Sequence, residues 1–124
     1  MSITFQNVSK HYGDGPPAID GISFQVERGE LAVLLGESGC GKTTTLKLIN
    51  RLIDASAGQI FVDGEDIRRA DAVKLRRNTG YVFQGIGLFP HMTISENIAI
   101  TLRLMQRPDS EVRERVDEPD AVAL

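Results

Sequence analysis

The chain has 124 residues, a single cysteine, Cys40, and no tryptophan. One cysteine excludes a disulfide within the chain, which argues against a small disulfide-rich secreted domain and favours a reducing compartment. No apolar run approaches the roughly 20 residues that a membrane-spanning helix needs. The opening segment MSITFQNVSK also lacks the apolar stretch of a signal peptide. These absences predict a protein that works inside the cell.

The chain also has no excess of positive charge. The net charge is −3 and the isoelectric point is near 5.3, so the chain has no overall basic field for nucleic acid or anionic lipid. Basic residues do cluster between positions 68 and 77, but acidic residues alternate with them. This mixture predicts a solvated helix face rather than a polyanion site. The basic residues are Arg68, Arg69, Lys74, Arg76 and Arg77.

What the sequence does contain is GESGCGKTTT at residues 36–45. It matches the phosphate-loop pattern G-x-x-x-x-G-K-[ST], for which a chance match in this length is well below roughly 1%. The apolar run LAVLL (31–35) precedes it and predicts a buried parallel strand. The segment 43–53 follows it with helical spacing of apolar residues. Strand, glycine loop and helix are the context that this motif requires. The apolar residues of the predicted helix are Leu46, Ile49, Leu52 and Ile53.

The residue types of this loop suit the binding of nucleotide phosphates. Gly36, Gly39 and Gly41 allow a tight turn whose amides, with the free N–H groups of the next helix, point at one anion. Lys42 adds positive charge for the outer phosphates, and Thr43 offers a hydroxyl to Mg²⁺. The alternative is a glycine-rich turn before a capped helix with an exposed lysine, which the flanking pattern disfavours.

Alternating apolar and polar residues predict strands before and after the loop. Residues 3–12 and 18–28 both alternate and are separated by turn residues, so we expect an antiparallel pair. A third strand is predicted around 60–62, before an Asp63-Gly64 turn. Residues 79–84 form another short β-rich run, and residues 85–90 a loop.

Helices are predicted mainly in the second half of the chain. Thr93 and Glu96 form a T-x-x-E capping box ahead of apolar residues at helical spacing. Pro108 can begin a further, highly charged helix, and Pro119 would end it. The predicted helices cover residues 71–78, about 95–106 and 109–118.

Several stretches together resemble the ATP-binding subunits of ABC transporters. They are SKHYGD (9–14), the phosphate loop, GQIFVDGEDI (58–67), GYVFQ (80–84) and LFPHMTISENI (88–98). The sequence of residues 80–99 is most similar to the sequences of the importers of glycine betaine, choline and related osmoprotectants. The resemblance covers residues 3–107 and implies an α/β fold, a P-loop NTPase (RecA-like) core with an N-terminal antiparallel β subdomain, here truncated.

The resemblance implies ATP and Mg²⁺ as cofactors and assigns roles to two residues outside the loop. Tyr12 would stack on adenine, although an ordinary strand-end tyrosine is the alternative. Gln84 would contact Mg²⁺ and the attacking water, although a polar loop residue is the alternative. Thr43 and Gln84 would be the metal ligands. Nucleotide contacts would come from Tyr12, Gly36, Glu37, Ser38, Gly39, Cys40, Gly41, Lys42, Thr43, Thr44 and Gln84.

Residues 84–93 would, by the same resemblance, line a groove for a short helix of the membrane-spanning permease subunit. Four apolar residues of this loop, Ile86, Leu88, Phe89 and Met92, need either such a partner or internal packing. The resemblance further implies a second ATP-binding subunit, no nucleic-acid partner, and a cytoplasmic location at the inner face of the membrane through the permease.

Other parts of the family pattern have no match in these 124 residues. The LSGGQ-type signature loop, the apolar strand ending in Asp-Glu and the later switch histidine are absent, and His91 is a loop histidine. Residues 117–119 read DEP but follow the charged EVRERV, so they are not the catalytic carboxylate site. We therefore expect the N-terminal half of a nucleotide-binding domain over 1–107 and a charged helix with a divergent tail over 108–124.

Three functions stay open from the sequence. The leading one is the ATP-binding subunit of an importer, whose turnover this polypeptide alone would not support because it lacks the general base. The second is another phosphate-loop enzyme, such as a small kinase or GTPase, which the spacing of Tyr12 and Gln84 disfavours. The third is a non-hydrolysing partner that occupies the docking site of the permease.

Overall fold

A computed structural model describes residues 1–85 and 87–118, and the chain divides into two compact units, Met1–Tyr81 and Val82–Leu124. The first unit combines an antiparallel sheet with two helices, and the described part of the second contains two helices. The elements in chain order are β1 (Ile3–Lys10), β2 (Ile19–Val26), α1 (Lys42–Ile49), β3 (Ala57–Val62), β4 (Glu65–Asp66), α2 (Ala72–Arg77), α3 (Ile94–Leu104) and α4 (Asp109–Asp117).

The sheet of the first unit is antiparallel and has the strand order β2-β1-β3-β4. Phe5 of β1 lies opposite Phe24 of β2, and the two rings stack with their centroids 4.5 Å apart. The Asp63-Gly64 turn joins β3 to β4 with positive φ angles of 50° and 78°, as a two-residue hairpin turn requires. The predicted antiparallel pair, the third strand and this turn are therefore confirmed.

An irregularity in β1 changes which of its side chains face the core. Asn7 has a φ angle of 47°, and the register of β1 shifts between Phe5 and Val8. A residue in this conformation interrupts the two-residue alternation, so side chains three positions apart reach the same face. Both Phe5 and Val8 are consequently buried, with exposed fractions of 1% and 0%.

Only part of the apolar set that the sequence predicts for helix α1 packs on the sheet, namely Ile49 and Ile53, which contact the core. Leu48 and Ile49 are buried in the core with Phe5, Ile19 and Ile60. Leu46 and Leu52, by contrast, are about half exposed. The helix also ends at Ile49, because Arg51 has a φ angle of 52° and cannot continue it. The prediction of a helix over 43–53 was therefore too long.

Helix α2 is short, and side-chain hydrogen bonds fix both its start and its position. The Asp71 carboxylate accepts from the N–H of Val73 at 2.8 Å, which is an N-cap. Arg76 donates to the carbonyl oxygens of Asn50 and Arg51, at 3.1 and 2.6 Å. These bonds satisfy backbone acceptors at the end of α1. The basic cluster is thus not only a solvated face, because Arg76 binds the helix that carries the phosphate loop.

The apolar segment LAVLL does not form the predicted buried strand. Residues 31–35 pair with none of the strands in the described part of the chain. Leu31 and Leu35 are each 88% exposed, and Val33 is 68% exposed. A strand requires a neighbour that completes its backbone hydrogen bonds, and the sheet described here supplies none at this place. The β-rich run at 79–84 likewise carries no strand.

The second unit contains the helix pair that the sequence predicts. Thr93 Oγ1 accepts from the N–H of Glu96 at 3.1 Å, and the N–H of Thr93 donates to Glu96 Oε2 at 2.7 Å, which confirms the capping box. Helices α3 and α4 pack together and bury Ala99 and Val112. The tail after residue 118 lies outside the described residues. No helix of the described chain has the length and apolar character to cross a membrane.

Candidate functional site

The glycine loop runs directly into α1, as the motif requires. Residues 36–40 are exposed, and the N–H of Cys40 donates to the carbonyl oxygen of Glu37 at 3.2 Å, which closes a tight turn. Gly41 then occupies the N-cap position with a φ angle of 101°. The loop is therefore a compact turn on the N-terminal end of a helix.

Lys42 lies against this loop rather than in open solvent. Its Nζ donates to the carbonyl oxygens of Gly36 and Glu37, at 2.5 and 2.8 Å, and lies 3.3 Å from Cys40 Sγ. The three contacts place one ammonium charge on the turn that also carries the loop amides. Positive charge and N–H donors are thus gathered at one exposed place, which favours an anion.

The N-terminus of α1 keeps its amides available. The N–H groups of its first turn have no acceptor within the helix, and no described side chain caps them. The N–H of Thr45 forms the first helical bond, to the carbonyl oxygen of Gly41 at 2.9 Å. Thr45 Oγ1 donates to the same oxygen, also at 2.9 Å. Sequence reasoning missed Thr45, because nothing in the motif marks a residue two positions beyond its end as an anchor of the loop.

A close contact with backbone requires glycine at one position of the loop. A Cβ at Gly41 would lie 2.6 Å from the carbonyl oxygen of Ala18, which precedes β2. A Cβ at Gly36 would meet Cys40 Sγ, which is the end of a side chain that can rotate. The backbone therefore stays bare where phosphate oxygens would approach, and the residues present fit a polyphosphate.

Tyr12 follows β1, and the residue is 55% exposed. Lys10 Nζ lies over the ring, 5.2 Å from its centroid, and also donates to the carbonyl oxygen of Asp54 at 2.7 Å. A cation on one face of an aromatic ring leaves the opposite face for a flat ligand. Lys10 is the second residue that the motifs did not indicate.

The predicted magnesium ligands are a hydroxyl and a carboxamide. Thr43 is exposed in the first turn of α1, and Gln84 is exposed in the second unit. Within the described chain, no three or more His, Cys, Asp or Glu residues group into a metal site. A hydroxyl suits Mg²⁺ when phosphate oxygens complete its coordination, which fits a metal that arrives with its nucleotide. The roles of both residues stay predictions.

The side chain of Asn97 forms hydrogen bonds with the loop before α3. Asn97 Oδ1 accepts from the N–H of Phe89 at 2.7 Å. Asn97 Nδ2 lies 3.2, 3.2 and 2.9 Å from the carbonyl oxygens of Phe89, Met92 and Thr93. Leu88 and Phe89 are about half exposed beside it. Ile86, the fourth apolar residue of the predicted groove, lies outside the described residues.

A separate open pocket of about 300 Å³ lies in the first unit. Residues of β3, α2 and the N-terminus line it, among them Val62, Lys74 and Asn78. It contains none of the predicted nucleotide or metal contacts, so ligand binding there can be distinguished from binding at the glycine loop.

A glycine loop that begins a helix, with a lysine on the turn and first-turn amides without helical acceptors, is an arrangement typical of nucleotide phosphate sites. The family model for ABC transporters matches residues 19–123. The chain therefore belongs to the ABC transporter family, which excludes the alternative of a small kinase or GTPase. A dimeric ATP-binding cassette with bound ADP and Pi is 30% identical, with a TM-score of 0.80 over 92% of this chain and 53% of its own. This likeness confirms the predicted fold class.

Curated relatives confirm the resemblance to osmoprotectant importers. The choline transport ATP-binding protein OpuBA of Bacillus subtilis is 51% identical over 116 residues, which are 94% of this chain and 30% of the relative. The osmoprotectant import ATP-binding protein OsmV of Salmonella typhimurium is 49% identical over 98% of this chain and 33% of its own length. The chain thus spans about a third of the length of these relatives.

Proposed function

We propose that this chain is an ATP-binding subunit, or the N-terminal part of one, of an ABC importer for osmoprotectants such as glycine betaine or choline. The observation that carries the proposal is the loop at 36–44, with Lys42 on its turn and an uncapped α1 behind it. The likeness to choline and osmoprotectant import proteins supports the substrate class.

The proposed nucleotide is ATP with Mg²⁺. The amides of the loop and of the first turn of α1 would bind the phosphates, and Lys42 would exchange its carbonyl partners for phosphate oxygens. Thr43 and Gln84 would hold Mg²⁺, which neutralises phosphate charge when it is bound. Tyr12 would stack on adenine with the face opposite Lys10.

The proposed partners are the permease and a second ATP-binding subunit. Leu88 and Phe89 are half exposed in a loop whose backbone both donates to and accepts from the Asn97 side chain. Exposed apolar side chains in a loop held in this way favour a protein contact. Docking on a permease would place the chain at the inner face of the membrane. The resemblance of 80–99 to the importers supports this assignment.

Lys42→Ala tests the phosphate loop. Charge-assisted hydrogen bonds contribute about 1.5–3 kcal/mol each, so we expect the affinity for Mg²⁺-ATP to fall roughly 10- to 100-fold. The measurement is isothermal titration calorimetry. Lys47→Ala is the matched control, because Lys47 is exposed in the last turn of the same helix and away from the loop. Equal affinities in Lys42→Ala and Lys47→Ala would remove the proposed site.

We expect the purified 124-residue chain to hydrolyse no ATP above background. It contains no segment that matches the general base or the signature loop that the family requires. The measurement is phosphate release at steady state with saturating Mg²⁺-ATP. Hydrolysis that persists on further purification and disappears in Lys42→Ala would contradict the expectation. Permease binding without turnover would fit both this expectation and the third function, a non-hydrolysing partner of the permease.

A further inference from the structure

Asn97 uses nearly all of its hydrogen-bonding capacity on a loop in which it does not itself lie. It is the fourth residue of α3, and its side chain reaches back over the segment 89–93. One carboxamide has two N–H hydrogens and one carbonyl oxygen. Here the oxygen accepts from Phe89 N–H, and the NH₂ group faces three carbonyl oxygens, so at least one hydrogen is shared.

These hydrogen bonds join the first turn of α3 to both sides of a short loop. Its partners are the backbone groups of Phe89, Met92 and Thr93, which flank Pro90 and His91. The capping box of Thr93 and Glu96 closes the same loop from its far end. No buried apolar side chain holds the segment 87–91, whose members are all exposed. The loop is therefore held by polar contacts from α3, together with its own turn, in which the N–H of Met92 donates to the carbonyl oxygen of Phe89 at 3.1 Å.

We propose that Asn97 is a positioning residue that holds the loop 88–93 in the shape in which Leu88 and Phe89 meet the permease. The inference rests on the proposed function, since the occupant is an apolar cytoplasmic segment of the permease. A flexible loop would lose conformational freedom on docking and would bind more weakly. Asn97 lowers that cost, because its hydrogen bonds already constrain the backbone of Phe89, Met92 and Thr93 before docking.

The first arm of the test measures the loop alone, by amide hydrogen exchange of the full chain. In Asn97→Ala we expect exchange at the Phe89 amide, whose acceptor is Asn97 Oδ1, to rise at least about tenfold, while amides inside α3, such as that of Leu102, keep their protection. Alanine favours the helix, so α3 remains formed. Asn97→Asp is the second variant, since its carboxylate still accepts from Phe89 N–H but faces three carbonyl oxygens without a donor. Ser95→Ala, on the same helix turn without a side-chain hydrogen bond, is the matched control.

The second arm measures binding to the detergent-solubilised permease of the import system to which OpuBA of Bacillus subtilis belongs. We expect Asn97→Ala to weaken binding roughly tenfold through a slower association, and Ser95→Ala to leave it unchanged. Unchanged loop exchange in Asn97→Ala would overturn the inference, as would faster exchange with unchanged permease binding. If the parent chain itself fails to bind the permease, the docking proposal fails, and the exchange arm still decides whether Asn97 orders the loop.

Discussion

The purified chain is expected to self-associate and to unfold without a sharp cooperative transition. Val33 is 68% exposed and Leu31 and Leu35 are 88% exposed in one short β-prone run. Such a run offers backbone hydrogen-bonding groups and apolar side chains to another copy of itself. Because the net stability of a domain is only about 5–15 kcal/mol, apolar side chains left in water are a substantial loss.

Val33→Glu tests this expectation. A charge in the middle of the run opposes strand pairing between copies, so we expect the aggregation rate in light scattering to fall by roughly tenfold. Val73→Glu is the matched control, because Val73 is 52% exposed on α2, outside the run. A parent chain that stays monomeric and unfolds in urea with a single sharp transition would contradict the prediction, as would equal effects of the two substitutions.

Gly41→Ala is expected to be the most damaging single change in the nucleotide loop. The left-handed backbone costs about 1–2 kcal/mol for alanine, and the new Cβ must displace the carbonyl oxygen of Ala18, so we expect a total near 3 kcal/mol. The measurement is urea unfolding, made in the Val33→Glu background to limit aggregation. The loss of ATP affinity should follow, because the same shift moves the start of α1.

Gly39→Ala is the control for this change. Gly39 also has a positive φ angle, of 82°, but no atom lies within 4 Å of the position of its Cβ. Its substitution should therefore cost only the backbone term, about 1–2 kcal/mol. Equal losses at the two positions would show that the contact with Ala18 does not constrain the loop.

Features set by neighbouring residues could be predicted from the sequence. The capping box of Thr93 and Glu96, the Asp63-Gly64 turn and the helix after the glycine loop each depend on contacts within a few residues. Their chemistry is local, so the residue types suffice. The nucleotide loop could be predicted for the same reason, because its glycines, lysine and threonine lie close together in the sequence.

Features that depend on distant parts of the chain could not be predicted. The segment 31–35 has the composition of a buried strand. A strand is buried only where other strands and helices pack against it, and the local sequence does not identify those elements. The irregularity at Asn7, which buries both Phe5 and Val8, is a tertiary feature of the sheet. Lys10 over the ring of Tyr12 and Asn97 over the loop at 89–93 act through side chains that span several residues. No sequence motif predicts such contacts.

The most direct test of the account is the response of backbone amides to Mg²⁺-ATP, measured by NMR titration of the Val33→Glu variant. We predict that the largest shifts fall on residues 36–44, with the amides of Gly39, Gly41 and Lys42 foremost, and that Lys42→Ala strongly reduces them at the same concentration. Shifts centred instead on the pocket beside α2, at Lys74 and Asn78, or no shifts at all, would contradict the claim that this loop binds the nucleotide.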